Sequence, residues 1–239
     1  MLVLAVGSGA FAPRAHRADP LDVPAVASAG LDAMRPLFEP PPPPEAAPLG
    51  RFRFTYYYMP TETKPSRAVQ LYTRSCRKIS RVSSTFSKHL RMQGGGKLND
   101  GRVLIYAGSC SCGSGPCYSV APADHEWGTG VDERPLSPFR SVAVDPTRVS
   151  IGSLLYIPEL DGLTMPGQAP YGGFVHDGCV VADDRGGGIR GKQIDFFAAK
   201  RSHYESLDRR HHLKKVTVMD GKERCRTFRT HVASRRGAI

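Results

Sequence analysis

Two neighbouring segments of the chain carry acidic residues of a kind that could do chemistry. Residues 179–182 form a short apolar run that ends in two consecutive aspartates, Asp183 and Asp184. Residues 193–197 form a second run, with Asp195 between apolar neighbours. A carboxylic acid can donate a proton to a glycosidic oxygen if burial or a neighbouring acid raises its pKa. These aspartates are therefore candidates for acid–base chemistry on a glycosidic bond.

A glycine-rich turn separates the two acidic segments. Both segments have the length and the β-branched content of buried strands. Gly186, Gly187 and Gly188 between them allow sharp turns and close approach to the backbone. Acids at the ends of two strands joined in this way can be brought face to face. A calcium-binding loop, or an acidic loop bonded to its own backbone, would show the same spacing, so both alternatives stay open.

Aromatic residues offer possible sugar contacts. Residues 51–58 alternate and end in three tyrosines, which predicts a strand, the first of the domain. Tyr57 and Tyr58 at its end could stack on sugar rings or pack in the core with the hydroxyl at the rim. Trp127, the only tryptophan, could likewise be a sugar platform or a buried anchor.

The remaining elements are short. Residues 139–157 predict two strands broken at Asp145 and Pro146. An aspartate before proline most often caps a turn through its own carboxylate, so Asp145 is assigned a structural role first and support of the site second. Residues 198–207 have the spacing of a short helix, and residues 215–219 alternate as a last strand.

The 239-residue chain has a formal net charge of +11. Such a charge suits nucleic acid, an anionic polysaccharide wall, an acidic lipid surface, or simply a solvated exterior. Zinc-finger, helix-turn-helix and RNA-binding aromatic patterns are missing from the sequence, so no nucleic-acid partner is expected. No apolar run reaches 18 residues, and no membrane-spanning helix is expected either.

Six cysteines form an even set: Cys76, Cys110, Cys112, Cys117, Cys179 and Cys225. An exported protein would pair them as disulfides, and six cysteines allow 15 pairings. The cluster at positions 110, 112 and 117 also suggests zinc, but structural zinc sites usually use two cysteine pairs, and the second is missing. Disulfides are therefore favoured over a metal site, and no metal or cofactor is expected.

The N-terminal part predicts export and a spacer. Residues 1–12 are apolar and end in Ala-Phe-Ala, a pattern typical of a signal-peptide cleavage site. Residues 13–50 are rich in alanine and proline and close with five consecutive prolines, which form a stiff extended linker. The predicted division is a signal-like segment and disordered linker over residues 1–50 and one domain over residues 51–239.

Four blocks of the chain resemble the 3D domain, a double-psi β-barrel family that includes membrane-bound lytic transglycosylase A. The blocks are residues 54–58, residues 140–157, residues 182–197 and residues 204–219. The resemblance implies a mainly β fold, a six-stranded double-psi β-barrel with one or two short helices. Residues 61–138 would be an insert of loops and strands in that barrel, serving as a lid or one-sided wall.

The resemblance also implies an activity. It places the catalytic acid on Asp184 and the second acid on Asp195, with Asp183 and Asp145 in support. Arg185 or Arg190, with the backbone of Gly186 and Gly187, would bind the sugar or its acidic substituents. The expected function is cleavage of peptidoglycan by a lytic transglycosylase, at the bond between N-acetylmuramic acid and N-acetylglucosamine. The protein is expected to act as a monomer in the periplasm, at the outer membrane or at the cell wall.

Two other functions fit the same fold. Inverting glycoside hydrolases need an acid and a base about 6.5–9.5 Å apart, with room for a water molecule. A non-catalytic module would only bind or loosen the cell wall, which a basic surface and a small insert would also suit. An open groove without aromatic walls would favour the binding module, whereas a cleft with Tyr57, Tyr58 or Trp127 near Asp184 would favour the enzyme.

Overall fold

The computed structural model describes residues 48–63, 69–113 and 115–227. The predicted signal-like segment and most of the predicted linker lie outside these residues, and the division at residue 50 stays a prediction. The described part contains eleven strands: β1 (Pro48–Tyr57), β2 (Val69–Tyr72), β3 (Lys78–Val82), β4 (Gly95–Lys97), β5 (Val103–Tyr106), β6 (Tyr118–Val120), β7 (Ser141–Val144), β8 (Leu154–Tyr156), β9 (Cys179–Asp184), β10 (Gln193–Phe197) and β11 (Lys215–Asp220). It also contains two α-helices, α1 (Ser84–Gln93) and α2 (Arg201–His211).

Six strands close into a barrel in the order β1, β10, β7, β9, β8 and β11. Two pairs are parallel, β1 with β10 and β7 with β9, and the other four contacts around the ring are antiparallel. A closed ring leaves no free strand edge. The predicted six-stranded, mainly β barrel is confirmed.

The barrel pairing repeats itself in two halves. Strands β1, β7 and β8 form the first half in chain order, and β9, β10 and β11 form the second. Exchanging each strand with its counterpart reproduces every pairing and its direction: β1 with β10 becomes β9 with β7, and β1 with β11 becomes β9 with β8. This twofold repeat of interlocked parallel pairs is the double-psi arrangement.

Alternation along the strands separates the barrel core from its outer face. On β1, Phe52 and Phe54 are buried in the core, whereas Arg51 and Arg53 are exposed. The same core contains large side chains from the other strands, including Phe196 of β10. Because side chains point to opposite faces at successive residues, the odd-numbered positions of β1 lie on the outer face of the barrel.

The insert between β1 and β7 contains β2 to β6 and α1, arranged as one two-stranded and one three-stranded sheet. Helix α1, which the sequence did not predict, begins where the Ser83 hydroxyl accepts the Phe86 amide at 3.1 Å. It ends at Gly94, whose left-handed φ of 78° suits glycine. Buried side chains from these elements form a core of their own, which includes Leu71, Val82, Phe86, Leu90, Leu104 and Tyr118.

All six cysteines are paired in disulfides, as predicted. Cys76 is bonded to Cys112 and Cys110 to Cys117, with Cα–Cα distances of 5.4 and 4.8 Å. Cys179, at the start of β9, is bonded to Cys225 with a Cα–Cα distance of 5.6 Å. The first two disulfides lie in the insert and the third belongs to the barrel.

Within residues 48–63, 69–113 and 115–227, neither α1 nor α2 has the length and apolarity that crossing a membrane requires.

Candidate functional site

A cleft of about 1330 Å³ lies on the outer face of the barrel, and the insert forms its opposite wall. The barrel side comes from β1, β7, β9 and β10, and the insert side from the end of α1, from β4 and β5 and from the segment around Trp127. Ten of the eleven residues predicted for the site line it: Tyr57, Tyr58, Trp127, Asp145, Asp184, Arg185, Gly186, Gly187, Arg190 and Asp195. The eleventh, Asp183, does not.

The two principal acids lie in one row across the barrel. Ala143 of β7 is opposite Asp195 of β10 on one side and opposite Asp184 of β9 on the other. Thr55 of β1 is opposite Asp195 and completes the row. Since neighbouring strands are about 4.8 Å apart, the Cα atoms of the two acids are roughly 10 Å apart. Only the small side chain of Ala143 lies between them on this face.

A β-bulge decides which of the two consecutive aspartates faces the cleft. Val142 is opposite Ala182, but the next residue, Ala143, is opposite Asp184, so Asp183 is an extra residue in β9. Strict alternation after the core residue Ala182 would place Asp183 on the outer face. The bulge shifts the strand by one residue and places Asp184 there instead.

The buried carboxyl groups in the cleft have raised pKa values. The pKa of Asp184 is raised from 3.8 to about 6, chiefly by burial, with the charges of Asp183 and Asp195 also raising it and the hydrogen bonds of the Arg185 amide and Tyr57 lowering it. Burial likewise raises the pKa of Asp195 to about 6, against the lowering effect of its hydrogen bond to Thr55 and of the Arg53 charge. Both acids therefore exchange protons close to neutral pH, which is the range that general acid–base chemistry requires.

Asp184 is held by the backbone amide of the next residue and by Tyr57. Its Oδ1 accepts the Arg185 amide at 2.8 Å. The buried Tyr57 hydroxyl has no partner that meets full hydrogen-bond geometry among the described residues, but it interacts with the Asp184 carboxylate, lowering the Asp184 pKa. Burial and the surrounding aspartates raise the pKa of Tyr57 well above its usual value, so this hydroxyl keeps its proton.

Asp195 is held by β1 rather than by Asp184. The Thr55 hydroxyl donates to Asp195 Oδ1 at 2.7 Å. The Gln193 side-chain amide in turn donates to Thr55 Oγ1 at 3.3 Å. This chain of contacts fixes the Asp195 carboxylate at the edge of the cleft, and its influence on Asp184 is exerted through its charge.

Asp183 is buried on the side of β9 away from the cleft. Arg134 Nε donates to its Oδ1 at 2.8 Å, and the Ser141 hydroxyl donates to its Oδ2 at 2.8 Å. Arg134 belongs to the insert, so this ion pair attaches the insert to the strand that carries Asp184. Gly130 lies against the same strand, where a Cβ atom would overlap the Asp183 carbonyl oxygen and approach Asp184 Cβ to 3.0 Å.

Asp145 caps backbone amides next to the cleft. Its Oδ1 accepts the amide and the hydroxyl of Thr147 at 3.0 and 2.8 Å, and its Oδ2 accepts the Gly191 amide at 2.6 Å. These hydrogen bonds, with Gly191 contributing most, lower the pKa of Asp145 below 3.8. Asp145 is therefore ionised at neutral pH and connects the turn after β7 to the glycine turn.

The glycine turn forms one rim of the cleft. Arg185 and Arg190 are exposed at its two ends, and the buried Ile189 anchors it to the apolar floor beside Tyr57. A Cβ atom on Gly187 would meet nothing within 4 Å, so the backbone at this tip is open to a ligand. The turn presents backbone amides next to two cations, an arrangement suited to sugar hydroxyls or carboxylates.

The predicted aromatic residues differ in exposure. Tyr57 is buried, and its ring packs on Phe197 with centroids 4.9 Å apart, so it contributes to the floor of the cleft rather than offering a ring face. Tyr58 is half-buried, and its amide donates to the Gln93 side chain at 2.9 Å. Trp127 is half-buried, with a buried indole N–H that has no described hydrogen-bond partner.

Residues of the insert that the sequence analysis did not select also line the cleft. Tyr106 of β5 and Met92 of α1 are exposed large side chains, with 49% and 63% of their surface accessible. The exposed Arg91 lies beside them. In the sequence, the available signal was a tyrosine at the end of the apolar run of residues 103–106. Tyr106 is far from the acids in sequence, so nothing indicated that it lines the same cleft.

Comparison with known proteins identifies part of the chain. Residues 140–214 match the sequence profile of the 3D domain. The chain carries a 3D domain. The matched residues of the 3D domain include all four aspartates and both arginines of the candidate site, whereas Tyr57, Tyr58 and Trp127 lie before the match. The predicted family resemblance is confirmed over this range. No curated protein sequence matches the chain.

Several solved structures resemble the structure around the 3D domain. The Escherichia coli lytic transglycosylase MltA with bound chitohexaose is 16% identical, with 71% of each chain covered and a TM-score of 0.47. A membrane-bound lytic murein transglycosylase from Agrobacterium tumefaciens is 14% identical over 72% of this chain and 73% of its own, with a TM-score of 0.43. The lytic transglycosylase LtgG of Burkholderia pseudomallei is 16% identical over 71% and 70%, with a TM-score of 0.36.

Proposed function

We propose that this protein is an exported lytic transglycosylase that cleaves peptidoglycan between N-acetylmuramic acid and N-acetylglucosamine. The observation that carries the proposal is the pair of acids, Asp184 and Asp195, with pKa values raised to about 6 in a cleft with aromatic residues on its walls. A surface that only binds glycan has no need for buried acids that exchange protons near neutral pH.

Asp184 is the catalytic residue of this proposal. In its protonated form it donates a proton to the glycosidic oxygen, and the bond between that oxygen and the muramic C1 breaks. The Asp184 carboxylate then accepts the proton of the muramic 6-hydroxyl, whose oxygen forms a new bond to C1. The products are a 1,6-anhydromuramic end and a free 4-hydroxyl on the other sugar. The acid is regenerated without a water molecule, so one carboxyl group serves both steps.

Asp195 assists through its charge. Its carboxylate accepts a hydrogen bond from the Thr55 hydroxyl, and Ala143 lies between Asp195 and Asp184 in the row across the barrel. An ionised Asp195 raises the Asp184 pKa and stabilises the positive charge that develops on the sugar ring in the transition state. The most productive form of the site therefore has one proton, carried by Asp184.

The walls of the cleft would hold the glycan strand. Tyr106 on the insert and Tyr58 on the barrel offer apolar faces for sugar rings, and the half-buried Trp127 adds a third aromatic ring to the wall. Arg185 and Arg190, with the amides of the glycine turn, would bind hydroxyl or carboxylate groups. One chain forms the whole cleft, so we propose that the protein acts as a monomer.

Export is part of the proposal. Three disulfides use all six cysteines, and such bonds persist in oxidising compartments and are rare in a reducing cytosol. Peptidoglycan lies outside the cytoplasmic membrane, where disulfide bonds can form and persist. The net charge of +11 also suits an anionic wall.

The experiment is product analysis by mass spectrometry after incubation of purified peptidoglycan with the protein. Wild type is expected to release 1,6-anhydromuropeptides, and Asp184→Asn about a thousandfold less, because an amide group is not acidic enough to protonate the leaving oxygen. Asp100→Asn, in an exposed turn of the insert, is the matched control and should behave as wild type. Reducing-end products would identify a hydrolase instead. Retention on peptidoglycan without any product, by wild type and variants alike, would identify a binding module.

A further inference from the structure

The strand that ends in the cleft carries exposed cations along its outer face. Thr55 and Tyr57 occupy the cleft end of β1, and Arg53 and Arg51 precede them on the same face. Lys215 of β11 is opposite Arg53 and is also exposed. We name Arg51, Arg53 and Lys215 the basic strip. It begins beside the cleft and continues along the barrel.

The three cations of the basic strip form no close ion pair with any acid of the described residues. No salt bridge within 4.0 Å involves any of its three cations among residues 48–63, 69–113 and 115–227. The carboxylate of Glu159, on the far side of β11, accepts the Thr217 amide at 2.8 Å and forms no such pair with the strip. The Arg53 charge does reach the site, since it lowers the pKa of Asp195. Three unpaired cations in a row favour an anionic ligand.

The distance from the acids indicates which ligand this is. The Thr55 hydroxyl donates a hydrogen bond to Asp195, so Thr55 marks the position of the acids on β1. Successive residues on one face of a strand are about 7 Å apart, which places Arg53 roughly 7 Å and Arg51 roughly 14 Å from Thr55 along the strand. In the proposed reaction the muramic ring lies at the acids, and its stem peptide leaves from that ring. An extended peptide covers about 3.3 Å per residue, so its second to fifth residues would lie along the strip.

We infer that the basic strip binds the carboxylates of the stem peptide, so that the protein favours glycan whose muramic residues still carry peptides. This inference rests on the proposed function and specifies its substrate. The arginine side chains can hold peptide carboxylates by paired hydrogen bonds, and Lys215 adds a point charge. The stem peptide would thereby orient the muramic ring at Asp184.

The test measures binding by calorimetry with the full-length protein carrying Asp184→Asn, which prevents turnover. The probes are a peptidoglycan tetrasaccharide with stem peptides and the same tetrasaccharide after an amidase has removed them. The strip variant adds Arg51→Gln, Arg53→Gln and Lys215→Gln. The matched control adds Arg77→Gln, Lys78→Gln and Lys88→Gln, which remove three exposed cations of the insert. Thermal unfolding of each variant checks that it is folded.

The parent protein should bind the peptide-bearing probe roughly tenfold more tightly than the peptide-free probe at low salt, since each exposed pair contributes a few-fold. The strip variant should lose this preference, and the control should keep it. At about 0.5 M salt the preference of the parent should also disappear, because screening weakens exposed charge pairs.

Two results would overturn the inference. One is a parent protein that binds both probes equally, or a strip variant that keeps the preference. The other is a strip variant that loses affinity for vesicles of anionic phospholipid but not for the peptide-bearing probe, which would assign the strip to a membrane surface. Neither result bears on the cleavage chemistry, because product analysis with wild type reports the proposed function separately.

Discussion

Asp184 and Asp195 have pKa values of about 6, and the proposed reaction needs one of them protonated and the other ionised. Two coupled acids of this kind titrate as a pair. We predict a bell-shaped dependence of the cleavage rate on pH with a maximum near pH 6, falling about tenfold per pH unit well above it because Asp184 loses its proton. The measurement is the initial rate of anhydromuropeptide release from pH 4 to pH 8.

Asp195→Asn separates the two limbs of this profile. The variant should be slower throughout and should lose the decline on the acid side, because no second carboxylate remains to be protonated. A rate that does not change between pH 5 and pH 8 would contradict the assignment of Asp184 as the proton donor.

The raised pKa of Asp184 also has a cost in stability. The folded protein keeps this proton up to about pH 6, whereas the unfolded chain releases it near 3.8. The unfolded state therefore binds fewer protons between these values, and stability falls as pH rises through this window. We predict that Asp184→Asn increases the free energy of unfolding by about 1–3 kcal/mol at pH 8 and has little effect at pH 4. Urea unfolding at both pH values measures this.

Asp145→Asn is the matched comparison, with the opposite sign. The pKa of Asp145 is lowered by its hydrogen bonds, so its ionised form stabilises the fold above its unfolded pKa. Asp145→Asn should therefore destabilise the protein at pH 8. Equal effects of the two variants would show that loss of a contact, rather than ionisation, governs the result.

Individual residues could be predicted from the sequence only in part. The residue types and the glycine turn pointed to the acidic segment, and the family resemblance pointed to Asp184 rather than Asp183. Alternation alone would have selected Asp183, because the bulge in β9 has no signal in a single sequence. The burial of Tyr57 could not be predicted from the sequence either, since it depends on the insert packing over the end of β1.

At the scale of elements, the Arg134–Asp183 ion pair joins the insert to β9. Asp183 is buried, with 4% of its surface exposed, and its Oδ1 lies 2.8 Å from Arg134 Nε. We predict that Arg134→Gln lowers the free energy of unfolding by about 2–4 kcal/mol at pH 7, because it removes a cation that lies against a buried carboxylate. Chemical denaturation followed by circular dichroism measures the loss.

An exposed pair provides the control for this substitution. Arg201 and Glu205 of α2 form a surface ion pair, and Arg201→Gln should change stability by no more than about 0.5 kcal/mol. If Arg134→Gln were equally mild, the other contacts of Asp183, which include the Ser141 hydroxyl, would be sufficient to stabilise it.

Elements with strong patterns were predicted well and elements without them were not. The strands around the acids were expected at residues 179–182 and 193–197 and occur as Cys179–Asp184 and Gln193–Phe197. The short helix expected over residues 198–207 begins at Arg201 and continues to His211. Helix α1 was missed because its sequence is polar and has only two buried residues, Phe86 and Leu90, so its periodicity is weak.

At the scale of the whole molecule, the Cys179–Cys225 disulfide closes a loop with a sequence separation of 46 residues, which contains the acidic segment, β10, α2 and β11. We predict that Cys179→Ala with Cys225→Ala lowers the free energy of unfolding by about 2–4 kcal/mol, because the unfolded chain gains conformational freedom. Thermal unfolding by calorimetry measures this. Removal of the Cys110–Cys117 bridge, with a separation of 7 residues, should cost less, and the reverse order would contradict the loop-entropy argument.

The sequence could indicate a disulfide-bonded protein but not the pairing, because six cysteines at these spacings do not determine their partners. For the same reason the cleft itself could not be derived. Its walls combine residues from Tyr57 to Phe197, and only the closed fold brings the insert opposite the acids.

Because the barrel consists of two repeated halves, two sides of the cleft are formed by equivalent connections, one from each half. In the first half, β1 is connected to β7 by residues 58–140, and in the second half β9 is connected to β10 by residues 185–192. These connections are topological counterparts: the first contains the folded insert that forms one wall of the cleft, and the second is the short glycine turn. A chain built on this plan can deepen or reshape its substrate channel by lengthening a single crossover, while the paired strands that carry both acids keep their register.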